Sequence, residues 1–395
     1  MKINSSLYFI LITAIVSGCS SDKQTQEGLA FVDVRKNYPE KEIFLTDIAE
    51  VSYLYLNSDD DDYLFQGRIH CITENTVVVG DDATGSILFF SKNGDTKSRF
   101  NRKGQGPEEY IGANQIIYDE PADDVFVLSL GRNFLQVYSS TGEYKRKIIM
   151  PEGTEVGLYY SFDNESLFIY DASASNERKV YMDQIGETDF AFFDHRFFLI
   201  SKKDGKILDF VDIPSASQYL GTYSEELGTF IPGRTTRILK CKEGILLCNP
   251  ETDTVFLYSK NRTLTPVIYQ TPSVSALDPV IYLNNCVDAG RYQFMEVFTL
   301  QYNVLPYPVK YLLRDKETGE VFRQKILLPD YKGKEFIISP IRSGRDYENG
   351  PWFELDLSEL KEAYRENRLS GKLKELVATL NEDVDNNVFM LVKFK

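Results

Sequence analysis

Gly104-Gln-Gly-Pro107 has the glycine content of a phosphate-cradling loop, and ionisable side chains crowd it: Arg102, Lys103, Glu108, Glu109 and Tyr110. A phosphate loop also needs a following Lys-Ser/Thr pair and the start of a helix, and neither is present. The glycines read instead as a sharp turn between elements, with Pro107 fixing φ. The five flanking side chains are expected to line one mouth of a channel if those elements form a ring. Residues 59–62 are four consecutive aspartates. Calcium favours oxygen ligands at turn-like spacing with a glycine, whereas Tyr63, Leu64 and Phe65 follow at once, so a solvated loop is expected. Asp81-Asp82 before Gly85 reads as an Asx-type turn. The only histidines, His70 and His195, have no visible acid or nucleophile beside them, and no Gly-x-Ser-x-Gly occurs. No catalytic residue or metal-ligand set is assigned, and no cofactor is expected, with calcium the one ion left open.

Four cysteines follow Cys19: Cys71, Cys241, Cys248 and Cys286. Their spacing does not resemble a zinc site. If Glu243-Gly244 is a two-residue hairpin turn, Cys241 faces Leu246 and lies diagonal to Cys248. That puts the Cα atoms about 7–8 Å apart, beyond easy disulfide reach. Free, buried thiols are the expectation.

The elements that would position these residues are written as a repeat. Residues 77–95 and 125–143 align without a gap at an offset of 48. Val77 matches Val125, Ile87 matches Leu135, Phe90 matches Tyr138, Ser91 matches Ser139 and Gly94 matches Gly142. Each copy reads strand, turn, strand, then a turn closed by glycine where φ must be positive. Looser copies occupy 197–206, 255–263 (which lacks the glycine) and 310–320. Taking Ser91, Ser139, Ser201, Ser259 and Arg314 as equivalent, the spacing suits one four-stranded antiparallel sheet per copy. In an all-β sequence that period points to a propeller.

Five copies leave two strand-like ends, 388–395 and the region of Ile43 and Val51–Leu56. Pairing them builds a sixth blade and closes the ring. Between, 356–380 has apolar residues at helical spacing. Ser358 is expected to cap that helix, Gly371 to break or kink it, and the whole to plug or cover one face.

The N-terminus has a different character. Lys2 precedes an apolar run from Leu7 to Val16, too short for a bilayer, which needs about 20 residues. It suits a secretory signal peptide ending in the lipobox Val16-Ser17-Gly18-Cys19. The expected organisation is a lipoprotein signal peptide at 1–18, lipid on Cys19, a flexible tether at 19–30 and a propeller over 31–395. A net charge of −15 argues against nucleic acid as a partner, since acidic chains repel phosphate backbones.

At this point the residues resemble a family. Asn101 to Tyr110 contains Gly104-Gln-Gly-Pro-Glu-Glu-Tyr110, similar to the Gly-x-Gly-Pro-x-Glu-Tyr signature of the six-bladed β-propeller lipoproteins of Bacteroidetes, an NHL/TolB-like propeller group. Asp253-Thr-Val-Phe256 is similar to their Asp-Thr-Val-Tyr strand, while Asn386-Asn-Val-Phe389 departs from Asn-Pro-Val-Leu. The resemblance implies an all-β six-bladed propeller with a helical insertion before its closing strand, held at the cell envelope by lipid, in the outer membrane. Asp253-Thr254-Val255 also resembles an O-glycosylation sequon, marking Thr254. Gly350-Pro-Trp-Phe353 is faintly similar to a stretch of six-bladed lactonases, whose calcium cage cannot be assembled here. The expected role is a ligand- or protein-binding scaffold; a metal-dependent hydrolase using the channel is the alternative.

Overall fold

The computed structural model describes residues 29–58, 61–129, 133–172, 186, 195–214, 221–224, 229–232, 237–249, 252–301, 307–340, 350–382 and 384–395. Within them, runs rich in Val, Ile, Leu, Phe and Tyr form five antiparallel meanders in chain order. Blade I is Gly67–Ile72, Thr76–Asp81, Ile87–Ser91 and Thr96–Phe100. Blade II is Ala113–Asp119, Asp124–Ser129, Phe134–Tyr138 and Tyr144–Ile149. Blade III is Val156–Ser161, Ser166–Asp171, Phe197–Ser201 and Ile207–Phe210. Blade IV is Arg237–Cys241, Gly244–Cys248, Thr254–Ser259 and Leu264–Thr271, and blade V is Ile281–Ala289, Tyr292–Thr299, Val309–Asp315 and Val321–Leu328. A sixth, three-stranded sheet joins the chain ends. In it Val388–Phe394 lies between Trp352–Leu355 and Ala49–Tyr55, with Val388 opposite Tyr55 and Phe394 opposite Ala49. A separate hairpin, Gly221–Ser224 with Thr229–Pro232, follows blade III.

All five sequence copies include the third strand of a blade and the turn after it, and the first two also include the second strand. The first two share a register: Val77 faces Phe90 and Val125 faces Tyr138. In each blade the turn closes through one residue with left-handed backbone: Gly94, Gly142, Gly205, Gly319 and, in the copy lacking glycine, Arg262 at φ 59°. The hydrogen bonds revise one alignment. Ser91, Ser139, Ser201 and Ser259 each exchange backbone bonds across the turn, and in blade V the residue doing so is Asp315, not Arg314. The turns of blades III and V are one residue longer, which spacing alone did not reveal.

Middle strands such as Thr76–Asp81, Asp124–Ser129 and Ser166–Asp171 are buried along their whole length. Alternate side chains serve opposite neighbours, so cores form between blades. Val125 and Val127 pack toward blade I, whereas Phe126 and Leu128 pack toward blade III. Another core joins blades III and IV, and another joins the terminal sheet to blade I through Leu54, Val77, Phe90, Trp352 and Phe389. Blades IV, V and the terminal sheet share a single large cluster. The ring is thereby closed by packing as well as by strand pairing.

Part of that cluster is a strap. Ala30–Asp33 adds in parallel to the outer edge of blade IV, and Glu40–Phe44 adds in parallel to the outer edge of blade V. Ile43 therefore serves blade V, not the closing sheet, and only Ala49–Tyr55 pairs with the C-terminal strand. The outer strands of blades I, II and III carry no such added strand among the described residues.

The helical insertion is two helices, Leu357–Arg365 and Gly371–Thr379, not one. Gly371, at φ 55°, starts the second. Asp356 caps the first by accepting from Glu359 N at 2.9 Å, and Ser358 instead donates to Asp356. Asp356 sits one residue before the helix, where a side-chain oxygen reaches the free N–H groups; Ser358 is already inside it. Leu357, Leu360, Ala363, Leu373 and Val377 bury the pair on the shared cluster. The four described cysteines are free and buried. The hairpin turn is Lys242-Glu243, so Cys241 faces Gly244 and Arg237 faces Cys248. The two thiols are further apart along the ladder than the sequence suggested. No helix among the described residues is long and apolar enough to cross a membrane.

Candidate functional site: an axial cavity

The first strands of blades I, II and III line a cavity of about 1210 Å³, with Lys240, Pro340, Trp352, Glu354 and Phe389 on its other wall. These strands are the innermost of their blades, so their inner edge and its side chains border the axis. Arg68, His70, Asn114, Gln115, Tyr118 and Tyr160 thereby come together from three separate stretches of sequence. The strand-to-strand turns 72–76, 119–124 and 161–166 add Glu74, Asn75, Glu120, Asp163, Asn164 and Glu165 at one end.

Many polar groups in the lining staple one blade to the next. Glu120 accepts from Thr73 Oγ1 and Asn75 N at 3.0 Å and from Thr76 Oγ1 at 2.5 Å, tying blade II to blade I. Burial pushes the Glu120 carboxyl up, but these hydrogen bonds and nearby Lys97 outweigh it and hold its pKa below the ordinary value. Gln115 Nε2 donates to Tyr159 O at 2.5 Å, and Lys202 pairs with Asp119 at 2.6 Å, both linking blades II and III. Ile116 N donates to His70 Nδ1 at 3.2 Å. Arg68, Glu74, Asn75, Asn114, Asn164 and Glu165 are exposed along the wall and rim. They give a ligand both charge signs and amide groups to bond.

Arg102, Lys103, Glu108, Glu109 and Tyr110 are not in this lining. Their loop leads into the start of strand Ala113–Asp119, whereas the turn carrying Glu120 leaves its far end. Seven residues of strand span roughly 23 Å. The signature acts as an inter-blade lock. Tyr110 is fully buried and its hydroxyl donates to Gly85 O at 2.7 Å, and burial pushes that phenol up to about 12. Gln136 Nε2 donates to Glu109 O at 2.8 Å, Tyr138 donates to Glu108 O at 2.8 Å, and Arg102 Nε donates to Gly142 O at 2.9 Å. Gly106 N donates to the Glu109 carboxylate at 2.8 Å. An added Cβ at Gly104 would lie 1.9 Å from that carboxylate, so the Glu109 side chain would have to move.

The other marked residues are placed as follows. Cys19, Asp59 and Asp60 lie outside the described residues. Asp62 pairs with Arg99. Asp81 accepts from Gln66 N, Ala83 N and Thr84 N, the Asx-type turn expected of it. His195 stacks on Phe210, 3.8 Å between centroids, and lies 3.2 Å from Asp212. Trp352 is buried and borders the cavity. Thr254 is half-buried in the third strand of blade IV, opposite Tyr269. Among the described residues no three His, Cys, Asp or Glu side chains group to hold a metal. The lining residues escaped the sequence reading because the repeat marked second and third strands. Their one signal was position: in blades I and II the innermost strand directly precedes a hairpin copy.

Antiparallel meanders in sequence order, packed face to face round an axial cavity and closed by both chain termini, define a β-propeller. A family model, DUF5128, described as a 6-bladed beta-propeller, matches residues 20–229, more than half of the 395. The chain belongs to that family. Among solved structures it is similar to a candidate exported protein of Bacteroides fragilis, at 17% identity and TM-score 0.61, over 93% of this chain and 99% of that one. It is also similar to a DUF4221 family member from Bacteroides vulgatus (12% identity, TM-score 0.46, 88% and 99% covered). A 6-phosphogluconolactonase candidate from Bacteroides uniformis is more distant (12% identity, TM-score 0.33, 68% and 70% covered). The first likeness bears on the fold; the other two are too loose to carry an argument. No curated protein matches the chain.

Proposed function

We propose that this protein is an exported, lipid-anchored binding module that takes a small polar ligand into its axial cavity at the outer membrane of the cell envelope. The observation that carries the reading is the cavity itself: about 1210 Å³, bordered by three innermost strands, with exposed amide and charged groups along it. Concave sites of this kind, fixed by a rigid scaffold, are where proteins bind ligands. The signal peptide and Cys19 supply the address.

Two measurements test the two halves. Native mass spectrometry of protein extracted from its own membrane should find a co-purifying small molecule. Asn114→Trp, which fills the cavity from an exposed lining position, should lose it. The same bound species in both proteins would place binding elsewhere. Cys19→Ala should move the protein out of the membrane fraction, since stable anchoring needs the several acyl chains of a mature lipoprotein. Retention after a high-salt wash would sink the anchor. Stoichiometric calcium by elemental analysis of the extracted protein would shift the reading to a metal-dependent hydrolase.

A further inference from the structure

The strap that braces blades IV and V has an outward side. Ala30, Val32 and Ile43 point inward and are buried, whereas Phe31 and Phe44 are 47% and 42% exposed. Phe44 ends the strap beside a cleft of about 310 Å³ whose lining includes Leu328, Pro329, Tyr331, Lys332, Lys334 and Arg368. That lining holds three cations and no carboxylate, on a chain whose net charge is −15. Lys334 and Arg368 lie 5.9 and 5.7 Å from the Tyr331 ring centroid and bond outward to Glu359 and Glu366. Lys332 is exposed and makes no ion pair among the described residues.

Single exposed apolar residues are ordinary on a protein surface. These differ in sitting on the segment nearest the anchor. Ten residues lie between Cys19 and Ala30, and those eleven Cα-to-Cα steps span at most about 40 Å. An apolar floor edged with cations, next to exposed phenyl rings, suits the interfacial zone of a bilayer. There, aromatic rings sit at headgroup level and cationic side chains meet lipid phosphate.

We propose that the body of the protein rests on the phospholipid bilayer through this strap and cleft, with Phe31 and Phe44 at headgroup depth and Lys332 against lipid phosphate. The proposal rests on the lipid-anchor reading. In a six-bladed ring, blades I and II lie across from IV and V, so exposed Lys92 in blade I faces away from the membrane.

The test is amine-reactive labelling of full-length protein, extracted from its membrane and inserted from outside into preformed phosphatidylethanolamine–phosphatidylglycerol vesicles. The reference is full-length Cys19→Ala in solution. Labelling of Lys332 and of Lys36, which is exposed between the two strap strands, should fall severalfold on vesicles while that of Lys92 stays the same. The lipidated Phe31→Ser/Phe44→Ser variant should still float with vesicles and unfold at a similar temperature, yet regain labelling at Lys36 and Lys332. Wild-type protein that floats without protection overturns the docking and leaves the anchor standing. Protein that does not float overturns both. Protection in intact cells but not on vesicles would assign the face to a protein partner and overturn the bilayer.

Discussion

Blades I to III are plain four-stranded meanders, whereas blades IV and V and the three-stranded terminal sheet are joined by the chain ends, and the two halves hold together differently. Blades I, II and III meet through separate cores, one per interface, and their outer edges are bare among the described residues. Blades IV, V and the terminal sheet share one cluster, completed by the strap and two helices. Polar staples compensate on the open side: Glu120 between I and II, and Asp119–Lys202 between II and III. The bare edges of I and II also carry Lys97, Arg99, Lys145, Arg146 and Lys147, charges that discourage pairing with another chain. The difference teaches that a repeat fixes the blade, while stability is distributed by what the chain termini do after the repeats are used up.

The largest test of that contrast is deletion of 388–395. Val388, Phe389, Met390 and Val392 are at most 1% exposed, and truncating such side chains costs roughly 2–5 kcal/mol each. Their joint loss should exceed the usual folding margin of about 5–15 kcal/mol and abolish cooperative thermal unfolding. Deleting 22–27 from the tether should leave the melting temperature unchanged. Equal melting of the full-length and 388–395-deleted proteins would show that the closing strand is energetically idle.

Next comes the strap. Val32 is fully buried, so Val32→Asp places an unpaired carboxylate in the shared cluster and should cost about 3 kcal/mol or more in urea unfolding. Lys147→Ala on the bare edge of blade II should stay within about 0.5 kcal/mol. Comparable losses at both positions would erase the distinction between braced and bare edges.

A smaller effect separates two turns with the same backbone. Gly94 and Gly319 have φ of 92° and 74°. An added Cβ at Gly94 would sit 1.8 Å from Tyr55 O in the closing sheet, whereas at Gly319 it meets nothing within 4 Å. Gly319→Ala should cost about 1–2 kcal/mol from backbone strain alone. Gly94→Ala should cost clearly more, measured by the same unfolding midpoint. Equal costs would mean the blade I turn is not wedged against the terminal sheet.

Glu120→Gln should cost about 1–2 kcal/mol by weakening the staple between blades I and II. The folded-state pKa of Glu120 lies below its ordinary 4.5, so its contribution is present above that value and is lost as pH falls through the folded pKa. The stability gap between wild type and Glu120→Gln should therefore be constant near neutrality and close below pH 4.5. A gap unchanged in acid would mean the ionised carboxylate is not what holds the blades.

Residue types and spacing were enough to reveal the blade. The third strand, its glycine turn and the count of copies follow from local chemistry, because period-two apolar patterning and positive φ are dictated residue by residue. The strand character of both ends and the helical spacing before the last strand were visible for the same reason. What the tertiary structure decided was which edge each terminal strand takes, that Asp315 and not Arg314 closes the blade V turn, and that the Gly-Pro signature bonds to neighbouring blades. It also decided the cavity. Arg68, Asn114 and Lys240 are unremarkable in sequence. They become a site only because innermost strands, separated by dozens of residues, are brought round one axis by packing that no local pattern encodes.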